Sequence, residues 1–289
     1  MKTSTLKIAL LQDKDRGGIE KAAAHTERLI RRAAAAGAKI ICTQELFLTE
    51  YFCWKQDSDF FNLAHPVPCG ITDRFRKAAK RLGVVIVAPM FEARGSEVFH
   101  NTAAIIDADG TCLGKYRKMH IPQDPGFEEK FYFAPGDLGF RSFQTKFAPI
   151  GVLVCWDQWF PEAARLTALA GAQIIFCPTA IGGIASEPAS LGALQRDAWL
   201  NVQRGHAAAN TCYFAAVNRV GTEHGTRFWG SSFVCDYYGN AIALAPPDKT
   251  AILYAECDFD AMEKHRQMWP FFRDRRIDAY SNLTRRFDD

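Results

Sequence analysis

The chain has 289 residues, and its hydrophobic content of 48% is enough for a large core. Its 35 basic and 32 acidic residues are interspersed and leave a formal charge of +3, so no field for nucleic acid or membrane is implied. Nine cysteines, an odd number with no CxxC pair, lie mostly in apolar strand-like runs. That pattern argues for a reducing compartment and against a disulfide framework or zinc cluster, so neither a metal nor another cofactor is expected.

The first apolar run, Ile8 to Leu11, gives way at once to Gln12-Asp13-Lys14, too soon for a signal peptide. No run approaches a membrane span, and a cytoplasmic protein is expected. Leu6 to Gln12 reads as a strand, and Ile19 to Ala36 as a helix with Gly37 placed to end it. Lys39 to Gln44 is the next strand, and Ile71 to Leu82 a helix stopped by Gly83. Strands follow at Val84 to Phe91 and Asn101 to Asp107, then a turn at Asp107-Ala-Asp-Gly110 into Cys112 to Arg117. The second half repeats the theme: strand Gly151 to Val154, helix Pro161 to Ala170, strand Gln173 to Cys177, helix Leu191 to Asn210 and strand Tyr213 to Asn218. Hairpin strands around Tyr237 to Asn240 and a strand Ala251 to Cys257 close the fold. No repeat or linker is visible, so 1–289 reads as one domain of the layered α/β class.

Three strand ends carry ionisable groups, where ligand crevices of α/β folds open. The strand Gly151 to Val154 stops at Cys155, and a helix then opens with Pro161 in its first turn and Glu162 beside its positive end. A thiol at such a turn lies near unpaired backbone N–H groups, which favour the nucleophilic thiolate. The strand from Lys39 runs into Glu45, and that from Gly114 into Lys118. Singly, each has an ordinary reading: a small apolar residue, a solvated acid, a solvated edge charge. Jointly, a carboxylate, an ammonium and a thiol form a nucleophilic constellation.

These three segments, in this order, resemble the Glu–Lys–Cys triad of the nitrilase (carbon–nitrogen hydrolase) superfamily. The likeness runs from Leu6 to Arg276 and is most specific in Tyr116–Pro122, Glu129–Phe133, Pro135–Asp137, Cys155–Arg165 and Phe271–Arg276. Within the superfamily it is similar to the amidases that act on N-carbamoylputrescine. The resemblance implies a four-layer α-β-β-α sandwich and a thiol amidohydrolase with Glu45 as base, Cys155 as nucleophile, and Lys118 with the Trp156 N–H holding the oxyanion. It also implies a second carboxylate, Glu129, with the adjacent Glu128 as the alternative. A homo-oligomer using the C-terminal segment, about 259–289, is implied as well.

Substrate choice rests on thinner signals. A carbamoylated diamine ends in an ammonium, which calls for a carboxylate or an aromatic face. Glu187 matches the Ser-Glu-Pro segment of those amidases, and Tyr51, Trp156 and Trp159 could wall the pocket or be ordinary core. A substrate with a far carboxylate, of the 3-ureidopropionate or ω-amide kind, would instead want an arginine, for which Arg196, Arg204 and Arg227 are candidates. His120 and His206 read as structural, and Asp157 and Gln158 as possible caps. A non-catalytic protein of the same fold is the remaining alternative, and the intact triad positions weigh against it.

Overall fold

The computed structural model describes residues 5–287; the first four positions, which bore on the leader-peptide reading, and the last two of the C-terminal segment lie outside them. The first half contains β1 (Thr5–Gln12), α1 (Ile19–Ala35), β2 (Ile40–Thr43), α2 (Gly70–Leu82), β3 (Val85–Ala93), β4 (Phe99–Ile106), β5 (Cys112–Arg117) and α3 (Glu129–Tyr132). After it come β6 (Ser142–Gln144), β7 (Pro149–Val152), α4 (Pro161–Leu169), β8 (Ile174–Thr179), β9 (Gly182–Ile184), α5 (Ala189–Asn210) and β10 (Tyr213–Asn218). The chain finishes with β11 (Val220–Glu223), β12 (Thr226–Trp229), β13 (Phe233–Cys235), β14 (Ala241–Leu244), β15 (Ala251–Asp258) and α6 (Phe259–Met268).

Period-two alternation in the buried strands decides the layering. In β1, Ile8 and Leu10 belong to a core shared with Val152, Phe176 and Phe214 of the opposing sheet, while Ala9 and Leu11 face Ala22, Ile30 and Phe75 of α1 and α2. One sheet runs β15-β1-β2-β3-β4-β5 and the other β14-β13-β10-β8-β7-β6. Helices α4 and α5 pack on the outer face of the second sheet. The result is the four-layer α-β-β-α sandwich that the resemblance implied.

Both sheets have parallel centres, β1-β2-β3 and β7-β8-β10. Because β4 is antiparallel to both β3 and β5, β5 runs parallel to β3. The C-terminal ends of β2 and β5 therefore lie on the same edge, and this edge carries Glu45 and Lys118.

Most predicted elements match to within a residue or two, including α2, which Gly83 ends in the left-handed conformation at φ 64°. Three differences matter. Strand β7 stops at Val152, two residues earlier than expected, and Leu153 and Val154 form an extended connection to Cys155. Helix α6 was missed. So was a three-stranded sheet, β11-β12-β9, whose short strands carry too few residues for a visible alternation.

Gly151 shows how tightly the segment before the cysteine is packed. A Cβ there would lie 2.1 Å from Thr167 Cγ2 and 3.1 Å from Ala172 Cβ. Gly151→Ala should therefore destabilise the protein by about 1–3 kcal/mol through overpacking, measured as a lowered urea midpoint at unchanged slope. An unchanged midpoint would mean that α4 is free to move away.

Candidate active site

The expected carboxylate and ammonium meet, and a second carboxylate joins them. Lys118 Nζ lies 2.9 Å from Glu45 Oε1 and 2.6 Å from Glu129 Oε2. All three side chains are fully buried. Asn101 Nδ2 donates to Glu45 Oε1 at 2.7 Å, and the Tyr51 hydroxyl donates to Glu129 Oε1 at 2.8 Å. Glu45 Oε2 is buried with no hydrogen-bond partner among the described residues, which leaves it free to accept a proton. The choice between neighbouring glutamates is settled by burial. Glu129 points inward, whereas Glu128 pairs with Gln56 and Gln123.

Burial alone would lower the Lys118 pKa, but Glu129, Glu45 and Cys155 reverse this and hold it well above its ordinary value. Glu129 is raised to about 7, chiefly by burial, with Lys118 lowering it and Glu45 raising it.

Cys155 sits just beyond the extended connection at φ 45°, a left-handed conformation that side chains other than glycine rarely adopt. A short 3-10 turn, Cys155–Trp159, precedes α4, so the thiol is at the sharp turn rather than at the helix start. The expected bias toward thiolate is not found. Burial pushes the Cys155 pKa well above its usual value and Glu45 adds to this, while Lys118 opposes them. A thiol held toward its protonated form needs a base to act as a nucleophile.

Asp157 ties this turn to the strand end carrying Lys118. Its Oδ2 accepts from the Val154 N–H at 3.0 Å and the Tyr116 hydroxyl at 2.8 Å. Its Oδ1 accepts from the His120 N–H at 2.9 Å and lies 2.7 Å from His120 Nδ1. His120 stacks on Phe160 with ring centroids 3.7 Å apart. His206 Nε2 lies 2.8 Å from the Gln158 carbonyl, and Gln158 Oε1 gathers donors from Trp199 and Gln203 of α5. Both histidines are held in these contacts, and Asp157 acts as a brace rather than only a cap.

Cys155 and Glu129 open on a cavity of about 460 Å³ whose walls include Trp156, Trp159, Glu187 and Trp229. That volume suits a small linear ligand. Tyr51 is not at the wall: it is enclosed behind Glu129, because its hydroxyl is needed there to satisfy a buried carboxylate oxygen. Arg196 and Arg227 line an adjoining cavity that shares Glu187 and Trp229, whereas Arg204 is directed to the Gly239 carbonyl. Asn101 was missed, although a buried amide within the apolar run of β4 is a readable signal.

A strained thiol beside a buried acid–cation–acid cluster defines a nucleophilic hydrolase site. The pattern of the carbon–nitrogen hydrolase family matches residues 7–267. Over 269 residues the chain is 52% identical to the N-carbamoylputrescine amidase of Arabidopsis thaliana, covering 90% of this chain and 89% of that one. It is 42% identical to the citrullinase of Francisella tularensis, over 98% of this chain and all of the relative. A crystal structure of a carbon–nitrogen hydrolase from Helicobacter pylori G27 superposes with a TM-score of 0.95 at 41% identity, covering 98% of this chain and 100% of that one. The chain belongs to the carbon–nitrogen hydrolase family.

The charge balance of the trio predicts a pH dependence. Glu129 must be ionised to pair with Lys118, so kcat/KM should rise with pH through a limb near 7. The Tyr51 hydroxyl favours the ionised form, so Tyr51→Phe should move that limb to higher pH. A pH–rate series on both proteins checks this, and a limb that stays put would separate Tyr51 from Glu129.

Proposed function

We propose that this protein hydrolyses N-carbamoylputrescine to putrescine, carbon dioxide and ammonia through a carbamoyl-Cys155 intermediate. The observation that carries the reading is the contact of Lys118 with Glu45 and Glu129 in a buried site that opens, with Cys155, on a cavity bearing Glu187. Relatives of the same activity at 47–52% identity support the choice of substrate.

In this mechanism Cys155 Sγ attacks the carbamoyl carbon while Glu45 takes the thiol proton. Lys118 and the Trp156 N–H stabilise the oxyanion, and loss of one such donor typically slows catalysis by about 10²–10³. As the tetrahedral species collapses, the bond from carbon to the putrescine nitrogen breaks, and Glu45 protonates the departing amine. Glu45 then deprotonates a water that attacks the thiocarbamate. The Sγ–C bond breaks, the thiol recovers its proton, and the released carbamate decomposes to carbon dioxide and ammonia. Glu129 keeps Lys118 oriented throughout.

A second reading has a specific observation behind it. Arg196 and Arg227 stand in the cavity next to Glu187, where they would suit a ureido substrate whose far end also carries a carboxylate. We also place the protein in the cytoplasm, a reading supported by nine free cysteines. Among the described residues no helix is long and apolar enough to cross a membrane. We further propose self-association through the C-terminal segment, where Met268, Trp269, Ile277 and Leu283 are exposed.

Two substitutions test the reading. Cys155→Ser should abolish turnover and leave the fold intact, followed as ammonia and putrescine release alongside circular dichroism. Near wild-type turnover, or a covalent adduct on another cysteine, would remove Cys155 as nucleophile. Glu187→Gln should reduce kcat/KM for N-carbamoylputrescine by ~1.5–3 kcal/mol, the worth of a charged hydrogen bond, and leave a small neutral amide nearly unaffected. Equal losses on both substrates would mean that Glu187 shapes its loop and does not select the diamine.

A further inference from the structure

Arg219 is a fully buried cation that the mechanism above does not use. It stands between β10, of the sheet that faces the one containing β2, and β11, of the small three-stranded sheet. Its Nη2 donates to three carbonyl oxygens of the loop after β2: Leu46 at 2.9 Å, Thr49 at 3.0 Å and Glu45 at 3.3 Å. Its Nη1 reaches both carboxylate oxygens of Glu223, at 2.9 and 3.1 Å. Glu223 Oε2 in turn accepts the Tyr51 N–H at 2.8 Å. The guanidinium also lies over the Phe228 ring, 5.7 Å from its centroid.

The two branches of this network end on the two carboxylates of the site. One holds the backbone of Glu45 itself, next to Leu46, whose φ of 49° is a strained, left-handed value. The other holds the backbone of Tyr51, whose hydroxyl donates to Glu129. A strained turn keeps its conformation only when its surroundings over-determine it, and here the bonds that the Thr49 N–H and hydroxyl make to the Leu46 carbonyl are supplemented by the guanidinium. Its fork supplies several donors in fixed directions, which a lysine ammonium does not.

We propose that Arg219 and Glu223 are positioning residues for the acid–base pair, fixing Glu45 through the backbone of its loop and Glu129 through Tyr51. Glu223 lies in β11, which pairs with β12, and β12 carries Trp229 of the pocket wall. The same hairpin thus shapes the substrate cavity and holds the base, and it belongs to the small sheet that the sequence did not reveal.

The proposal rests on Glu45 acting as base, and the experiment separates the two. Glu223→Gln keeps the side-chain shape and one acceptor oxygen but loses the negative charge and the second acceptor that Arg219 bonds. It should lower kcat roughly 10- to 100-fold, the scale expected from a misplacement of about 1 Å, with KM within about threefold and the thermal midpoint near that of the wild type. Added to Glu45→Gln it should cause no further loss of the residual kcat, because the base it positions is already gone. Should Glu223→Gln fail to fold, Glu223→Asp keeps the charge at a shorter reach and takes its place. All variants are assayed on N-carbamoylputrescine and on a small neutral amide, so a wrong substrate assignment shows as wild-type turnover of the amide alone and leaves the comparison standing on the amide. A folded Glu223→Gln protein with kcat within about twofold of the wild type overturns the proposal. So does an equal further loss in the Glu45→Gln background, which would mark a general structural defect. If Glu45→Gln itself loses less than about tenfold, short of a usual general-base contribution, the base reading falls and this one falls with it.

Discussion

The site depends on an ammonium buried between two carboxylates. Taking Lys118 out of water is expensive, and the cost is met only because Glu45 and Glu129 lie within hydrogen-bond distance and are themselves held by Asn101 and Tyr51. Loss of either carboxylate would leave part of that charge uncompensated. The cluster also sets the state of the thiol. Burial first, and then the two acids, push the Cys155 thiol toward S–H and outweigh the opposing field of Lys118. In the proposed mechanism proton transfer to Glu45 makes the sulfur reactive, and the buried Glu45 Oε2, unpartnered among the described residues, is available for it.

Holding such a cluster takes restraint from outside it. Glu45 precedes Leu46 at positive φ, and Cys155 itself has positive φ, so both lie at strained turns. Asp157 fastens the thiol turn to the strand end of Lys118 through Val154, Tyr116 and His120. Arg219 contacts the Glu45 loop from the junction of β10 and β11. Each brace joins segments distant in the chain, and each is a buried charge whose hydrogen bonds are directional. An apolar contact of the same size would bring the segments together without fixing the angles at which the reacting groups meet.

Specificity belongs to a less constrained region. The wall formed by Trp159, Trp229 and Glu187 draws on the turn after the thiol, the small three-stranded sheet and the segment before α5. Glu187 and the two arginines beside it offer both signs of charge to the far end of a ligand. The buried trio is thus separable from the surface that meets the far end of a ligand, which fits a family whose members carry the names N-carbamoylputrescine amidase and citrullinase.

The sequence by itself determined the layered α/β class and the three strand ends that carry Glu45, Lys118 and Cys155. Continuous apolar runs in β1 and β3, helix periodicity with glycine stops and short connections are local signals, and so is an ionisable residue ending a buried strand. Motif likeness supplied the pairing of Glu45, Lys118 and Cys155. Only the tertiary structure decided between Glu128 and Glu129, moved Tyr51 from the pocket wall to a place behind Glu129, and assigned Asn101, Asp157 and Arg219 their partners. The thiol's protonation was likewise beyond the sequence. Each of these depends on which distant groups share a dry volume, and on how far burial outweighs a nearby charge of opposite sign. Local patterning fixes where a side chain leaves its strand, but the dielectric and the neighbours it meets are set by the packing of two sheets that the chain order alone does not bring together.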